Sequence, residues 1–249
     1  VKVLDVNVDV IDMDTAIERI GQWIEERRKA YVCVAPVATV VRAIDDQDYQ
    51  KILEEADMVT PDGMPVVWVA RAKGAKEIER VCGPDLIQRV CSDPCLTHWR
   101  HFFFGATPST LEQMEKRLRM LNPDIKIAGT MAPPFRDEAV LESPEVIEEI
   151  NRARPDILWV GMGSPKQDFW MKVNRPRLDA PVIIGIGAAF DFLAGNKPRA
   201  PKWMQRVGLE WLFRLGCEPR RLMSRYVIGN SRFCMEVMLD FLNLRNKRT

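Results

Sequence analysis

Asp156-Ile157-Leu158-Trp159-Val160-Gly161-Met162-Gly163-Ser164-Pro165-Lys166-Gln167-Asp168, residues 156–168, is the stretch that decides the fold. After Asp156, Ile157–Val160 form an apolar run of strand length, and the glycines after it supply a turn. Val182–Ile186 repeats the pattern and closes in Gly185-Ile186-Gly187-Ala188-Ala189-Phe190-Asp191. Upstream, Tyr31–Val34 is a short strand before Pro36, His101–Phe104 ends in Gly105-Ala106-Thr107-Pro108-Ser109, and Ile125–Gly129 is a further strand. Strand, glycine turn and helix in repetition predict an α/β fold: a doubly wound, mainly parallel sheet with helices on both faces. Ligands of such sheets bind beyond the carboxyl ends of the strands. The turns carrying Asp62, Gly105, Gly163 and Gly187 are therefore expected along one edge, where Gly105 and its helix start could present N–H groups to a phosphate.

The remaining segments fill in the pattern. Val1–Val10 alternates around Asp5, Asn7 and Asp9, as a strand does, and Asp14-Thr15 caps a helix with an Ile17, Ile20 and Ile24 face. Val40–Leu53 and Glu138–Ala153 read as one helix each, and Met131–Arg136 as a Pro-rich loop. Asp45-Asp46-Gln47-Asp48 contains an Asp-x-Asp of the kind that holds a divalent metal in some sugar-nucleotide enzymes. Neighbouring helix positions do not face each other, so a solvated face is the better reading and no metal is expected there.

Ala56-Asp57-Met58-Val59-Thr60-Pro61-Asp62-Gly63-Met64-Pro65 carries the chemistry. Pro61 fixes φ and Gly63 permits φ > 0, so Asp62 sits in a turn at the rim of a buried element. A carboxylate held there can act as a general base, and a plain turn with a helix-capping Asp is the structural alternative.

At 249 residues, 47% apolar and 29% charged, the chain can bury a substantial core. Its net charge of +1 conceals an asymmetry: residues 197–249 hold 12 Lys/Arg against 4 Asp/Glu, leaving 24 against 31 in residues 1–196. This divides the chain into an acidic α/β body, 1–196, and a basic appendage, 197–249, suited to an anionic partner. There is no export signal and no membrane-spanning run, and the six cysteines lack zinc spacing, which points to reduced thiols in the cytosol. Neither Gly161-x-Gly163 nor Gly185-x-Gly187 has the third glycine of a dinucleotide fingerprint, and no Gly-x-Ser-x-Gly is present. His98 and His101 lack a third ligand nearby and read as surface or structural residues.

The appendage opens with the proline-broken Lys197-Pro198-Arg199-Ala200-Pro201-Lys202-Trp203. Leu209, Leu212, Phe213 and nearby Trp211 and Leu215 then form an apolar helix stripe bordered by Arg206 and Arg214, and Arg221 and Arg225 share a helix face. Such a stripe suits an anionic membrane boundary or a diphosphate at its surface, or simply docks on the body.

Taken together, Thr60-Pro61-Asp62-Gly63-Met64, Glu79-Arg80-Val81-x-Gly83-x-Asp85-Leu86, Phe104-Gly105, Gly161-Met162-Gly163-Ser164-Pro165-Lys166-Gln167, Gly187-Ala188-Ala189-Phe190-Asp191, Ala200-Pro201-x-Trp203-Met204 and Gly208-Leu209-Glu210-Trp211 resemble the WecG/TagA/CpsF glycosyltransferases over the whole chain. The resemblance implies inverting, cofactor-free and metal-independent transfer of a hexose from a UDP-sugar to a polyprenyl-diphosphate-linked sugar. The enzyme would work on the cytoplasmic face of the membrane, with the appendage completing the active site and touching the membrane. It implies Asp62 as general base, Arg80 and Gln167 near the donor's sugar or diphosphate, and Arg214, Arg221 and Arg225 on the diphosphates; Gly105, Gly163 and Gly187 join the donor side as sheet-edge turns, and Thr39 as the hydroxyl nearest the position where the family carries Thr-x-Asn. Ala35-Pro36-Val37 stands where many members carry Thr-x-Asn, which leaves the sugar open among N-acetylmannosamine, its uronic acid and glucose. A homo-oligomer that controls exposure of the tail is compatible with this reading. The competing reading is a non-catalytic nucleotide-sugar or nucleic-acid binding module, but the tail has no nucleic-acid reading motif and no nucleic-acid partner is expected.

Overall fold

Along strand β7 (Ile157–Gly161) successive side chains enter two different cores. Leu158 and Val160 pack with Tyr31, Phe104 and Ile183, whereas Ile157 and Trp159 pack with Val32, Phe103 and Ile184. Two buried faces explain why the strands read as continuous apolar runs rather than alternating ones. The computed structural model describes residues 1–133 and 143–244, without the side chain of Arg225.

Six strands build the sheet in the order β4 (Met58–Pro61), β3 (Ala30–Ala35), β8 (Val182–Gly185), β7, β5 (Arg100–Gly105) and β6 (Lys126–Met131). Every neighbouring pair is parallel. One face is covered by α2 (Val37–Asp45), α3 (Gln47–Glu54), α4 (Met64–Ala72), α7 (Pro144–Ala153) and α8 (Lys166–Asn174). The other face is covered by α1 (Met13–Glu25), α5 (Gly83–Ser92), α6 (Pro108–Leu121) and α9 (Ala189–Ala194). The expected doubly wound α/β architecture is present.

Four elements differ from the sequence reading. The cap of α1 is Asp12, whose carboxylate accepts from the Thr15 amide at 2.8 Å, so Asp14 and Thr15 lie inside the first turn. Residues 1–10 are not one strand but a small hairpin, β1 (Lys2–Val3) antiparallel to β2 (Val6–Asn7), because the chain turns at Leu4 with φ +53°. Residues 40–53 are not one helix: Asp46 leaves helical geometry, and its carboxylate accepts from the Tyr49 amide at 3.0 Å to cap α3. Capping suits a short acidic side chain better than a helix interior does. Helix α7 starts at Pro144, with Ser143 as its cap. Residues 134–136 of the loop and 138–142 of the expected helix lie outside the described residues.

After Asn196 the chain forms α10 (Lys202–Arg206), α11 (Glu210–Cys217) and α12 (Pro219–Phe241). Gln205, Leu222 and Phe233 are buried, and Phe233 joins the core that holds α2. No helix among the described residues is long and apolar enough to cross a membrane.

Gly105 ends β5 at φ +135°, where a Cβ would lie 2.5 Å from the Gly161 carbonyl oxygen. Gly105→Ala is expected to lower the unfolding free energy by about 2 kcal/mol or more, through φ strain and this clash with fixed backbone. Urea denaturation measures it, and a change within about 0.5 kcal/mol, the range of a neutral surface substitution, would contradict the stated constraint.

Candidate active site

Strand β4 ends at Pro61, and the next amide, that of Asp62, donates to the Ala35 carbonyl at 3.3 Å. This bond ties the turn to the end of β3. Gly63, at φ +99°, then reverses the chain into α4, with Pro65 in the first turn of that helix. The cap position of α4 is Gly63 and carries no side-chain bond, so Asp62 is not a capping residue. Its carboxylate faces a cavity of about 270 Å³ at the carboxyl edge of the sheet. Burial pushes its pKa up to about 6; Glu210 and Asp85 add to that rise, and Arg80 and Arg214 oppose it. A carboxyl group so placed is ionised at neutral pH and is a stronger base than an exposed aspartate.

Arg80 reaches the same cavity. Its Nη2 donates to Glu210 Oε2 at 2.7 Å and to Cys82 Sγ at 3.0 Å, and its Nη1 donates to Asp85 Oδ2 at 3.4 Å. Asp85 also accepts from Arg199 Nη1 at 2.6 Å and from the Cys82 thiol at 2.9 Å. Burial disfavours the Asp85 charge, but the bonds from Arg199 and Cys82 outweigh it and hold the pKa at about 2. Glu210 and Arg199 both come from the segment after Asn196, so body and appendage share one partly buried ion network.

Gln167, in the first turn of α8, is buried with 1% exposure. Its Oε1 accepts from the Gly163 amide at 3.1 Å and from the Gly187 amide at 2.9 Å, and its Nε2 donates to Ser164 Oγ at 3.3 Å. One side chain thus clips the β7–α8 turn to the β8–α9 turn. Gly163 and Gly187 have φ of +84° and +58°.

The appendage forms the opposite wall. Arg214 lies 5.3 Å above the Phe192 ring, and Trp211 meets Tyr226 edge to face at 6.2 Å. Arg221 lines the cavity while donating to Glu218 at 2.6 Å.

Seven of the residues singled out from sequence therefore converge: Asp62, Arg80, Gly163, Gln167, Gly187, Arg214 and Arg221 all line the cavity. Two do not. Thr39 is buried within 3.5 Å of the Tyr49 hydroxyl, and Gly105 ends β5, on the far side of β7 from β8. The side chain of Arg225 lies outside the described residues. Glu210, Phe192, Trp211 and Cys82 also line the cavity and had no role in the sequence reading. Glu210 was visible only in the motif Gly208-Leu209-Glu210-Trp211, which pointed to no partner, and Trp211 only there and with the apolar stripe of the appendage.

The acidic run is engaged elsewhere. Asp45 pairs with Arg232 of α12, Asp46 caps α3 and pairs with Arg42, and Asp48 is exposed beside Lys51. Among the described residues, no three His, Cys, Asp or Glu side chains are grouped to hold a metal ion. His98 is exposed. His101 is buried, held neutral with a pKa near 4, and accepts from Trp159 Nε1 at 3.2 Å.

Comparison with known proteins places the chain. The model of the glycosyl transferase WecG/TagA/CpsF family matches residues 1–247. A protein of Bacillus subtilis named N-acetylglucosaminyldiphosphoundecaprenol N-acetyl-beta-D-mannosaminyltransferase is 31% identical over 199 residues, covering 80% of this chain and 76% of its own. The protein of the same name from Bacillus spizizenii is 30% identical, covering 81% and 78%. That from Staphylococcus aureus is 25% identical, covering 89% and 86%.

Gln167→Leu removes the shared acceptor of two loop amides. The expected cost is about 1 kcal/mol in chemical denaturation, the net worth of a typical hydrogen bond, since both amides are partly buried and face the cavity. Wild-type stability in this variant would mean that the two turns hold their positions without the clip.

Proposed function

The chain belongs to the WecG/TagA/CpsF family of glycosyltransferases, and from that premise we propose that it moves an N-acetylmannosamine-type hexose from UDP to a sugar carried on polyprenyl diphosphate. The reading rests above all on Asp62, a base of raised proton affinity in a cavity also lined by Arg80, Arg214 and Arg221. The sugar class is taken from the printed names of the Bacillus and Staphylococcus relatives.

In this mechanism Asp62 takes the proton of the acceptor hydroxyl as its oxygen attacks the anomeric carbon from the face opposite UDP. The new C–O bond forms as the bond to the β-phosphate oxygen breaks, and that oxygen leaves with the electron pair. Displacement from behind inverts the anomeric centre. Negative charge develops on the leaving diphosphate, and guanidinium groups meet it with paired N–H donors without a metal. Arg214 is favourably placed for this role: it already stacks on Phe192, and a guanidinium so held loses little freedom on binding oxygen atoms.

The lipid-linked acceptor requires approach to a membrane. Helix α12 supports this by the division of its surface. Leu222 and Phe233 are buried against the body, whereas Met223, Val227, Ile228, Met235, Met238 and Phe241 are exposed. The exposed residues recur at helical spacing on the outward side. We assign this stripe, with the basic residues of the appendage, to peripheral contact with the inner leaflet of the cytoplasmic membrane.

Two outcomes are expected. The kcat/KM for a UDP-sugar and a polyprenyl-diphosphate-linked acceptor should rise with pH through about 6 and then level, because only ionised Asp62 accepts the proton. Asp62→Asn should lower turnover by roughly 10²-fold or more while a UDP thermal shift persists. Wild-type-like turnover in that variant would remove Asp62 from the mechanism. A UDP shift in a wild-type protein that transfers nothing would favour a nucleotide-sugar binding module instead.

The second outcome concerns the membrane. Joint substitution of Ile228 and Phe241 by Glu should abolish co-sedimentation with anionic vesicles and leave the UDP thermal shift intact. Undiminished sedimentation would place the membrane contact on another surface.

A further inference from the structure

We infer that Glu210 is a positioning residue: by holding the Arg80 guanidinium, it keeps that cation from pairing with Asp62 and so preserves Asp62 as a base. The inference rests on the proposed role of Asp62, which it deepens, and the geometry carries it.

Arg80 lies beside Asp62 in the cavity wall, yet its ion-pair partners among the described residues are Asp85 and Glu210, not Asp62. The two contacts are unequal. Asp85 meets Arg80 at 3.4 Å and is already committed to Arg199 at 2.6 Å. Glu210 meets Arg80 at 2.7 Å, and the two side chains keep only 21% and 14% exposure. Water and salt therefore screen the pair weakly. Cys82 Sγ, the remaining acceptor of the guanidinium, carries no charge, because burial pushes its thiol pKa well above the ordinary range.

The charged groups acting on Asp62 come from three elements: Arg80 from the loop before α5, Asp85 from α5, and Glu210 and Arg214 from α11. With Glu210 present, two carboxylates balance the two guanidiniums around Asp62. Without it, Arg80 keeps only the longer contact to Asp85, which Asp85 shares with Arg199, and Asp62, on which the Arg80 charge already acts, becomes the competing partner. An arginine paired with an aspartate lowers the proton affinity of that aspartate and weakens it as a base. Of the acceptors on Arg80, only Glu210 belongs to the segment after Asn196, so Asp62 is fully basic only when α11 is docked.

The test uses the full chain. Carbon-13 NMR follows the titration of the Asp62 carboxyl in unliganded wild type, Glu210→Gln and Glu210→Asp. Glu210→Gln is expected to lower the midpoint by about half a pH unit or more, because an opposing negative charge is lost and Arg80 turns toward Asp62. The acid limb of kcat/KM should move by the same amount, and kcat should fall several-fold. Glu210→Asp keeps the charge and should keep the wild-type midpoint, which serves as the folded control if the Gln variant does not fold. A fall in kcat with an unmoved titration, or a shift in Glu210→Asp as large as in Glu210→Gln, would overturn the inference. Loss of transfer in wild type itself, with the NMR shift still present, would instead overturn the base assignment and leave the link between the three side chains standing.

Discussion

Two peptide N–H groups, those of Gly163 and Gly187, set the shape of the cavity. Both lie in turns at the carboxyl edge of a parallel sheet, where no strand continues to accept from them. Gln167 supplies one oxygen to both, at 3.1 and 2.9 Å. The turns are thereby held at a fixed separation, and the space between them and the Asp62 turn becomes a cavity rather than a collapsed loop cluster. The arrangement makes demands further down. A Cβ on Gly185 would sit 2.8 Å from Gln167 Nε2, so β8 must end in glycine for the clip to fit. A Cβ on Gly161 would strike the Phe190 ring, so β7 must end in glycine for α9 to pack. The glycines that made the fold readable are thus there to let a side chain in, more than to contact a ligand.

The second organising force is electrostatic. Arg80, Arg199 and Asp85 are each largely withdrawn from water, and an unpaired buried charge is costly enough that each needs a partner. Those partners come from both sides of residue 196. Arg199 satisfies Asp85, Glu210 satisfies Arg80, and further along Asp240 meets Lys73 at 2.5 Å. The appendage therefore does more than lie over the body: removing it would strand charges in the floor of the site. The same network fixes Arg80 in the cavity wall.

The fold was legible because its central strands are buried on both faces and three of them, β5, β7 and β8, end in glycine, a pattern that helices do not imitate. What the pattern could not convey was strand order. Gly105 has the same local signature as Gly163 and Gly187, but β7 stands between β5 and β8, which leaves Gly105 off the cavity. Thr39 was chosen as the nearest hydroxyl, and the rotation of α2 turns it inward to Tyr49. Gln167 was found for its place in a motif, yet its carbonyl is engaged by backbone, which sequence spacing cannot reveal. Glu210 escaped notice because its partner lies 130 positions away. Pairings across such separations follow from the tertiary arrangement, not from local pattern.

Helix α12 brings these strands of argument together. Tyr226, Asn230 and Arg221 line the cavity, while Met223, Val227 and Ile228 face outward within the same few turns. At 1.5 Å rise per residue, the cavity-lining stretch of α12 extends only about 14 Å along the helix, alongside the apolar stripe. In the proposed reaction this geometry solves a problem of reach: the acceptor's diphosphate and sugar must leave the headgroup layer while the polyprenyl chain stays in the bilayer. A helix lying at the interface, with one side in lipid and the other against the cavity, lets the sugar enter without extraction of the lipid. The same docking seats α11, and with it Glu210 against Arg80. In the proposed mechanism, contact with the membrane and readiness of the base then both follow from one packed segment.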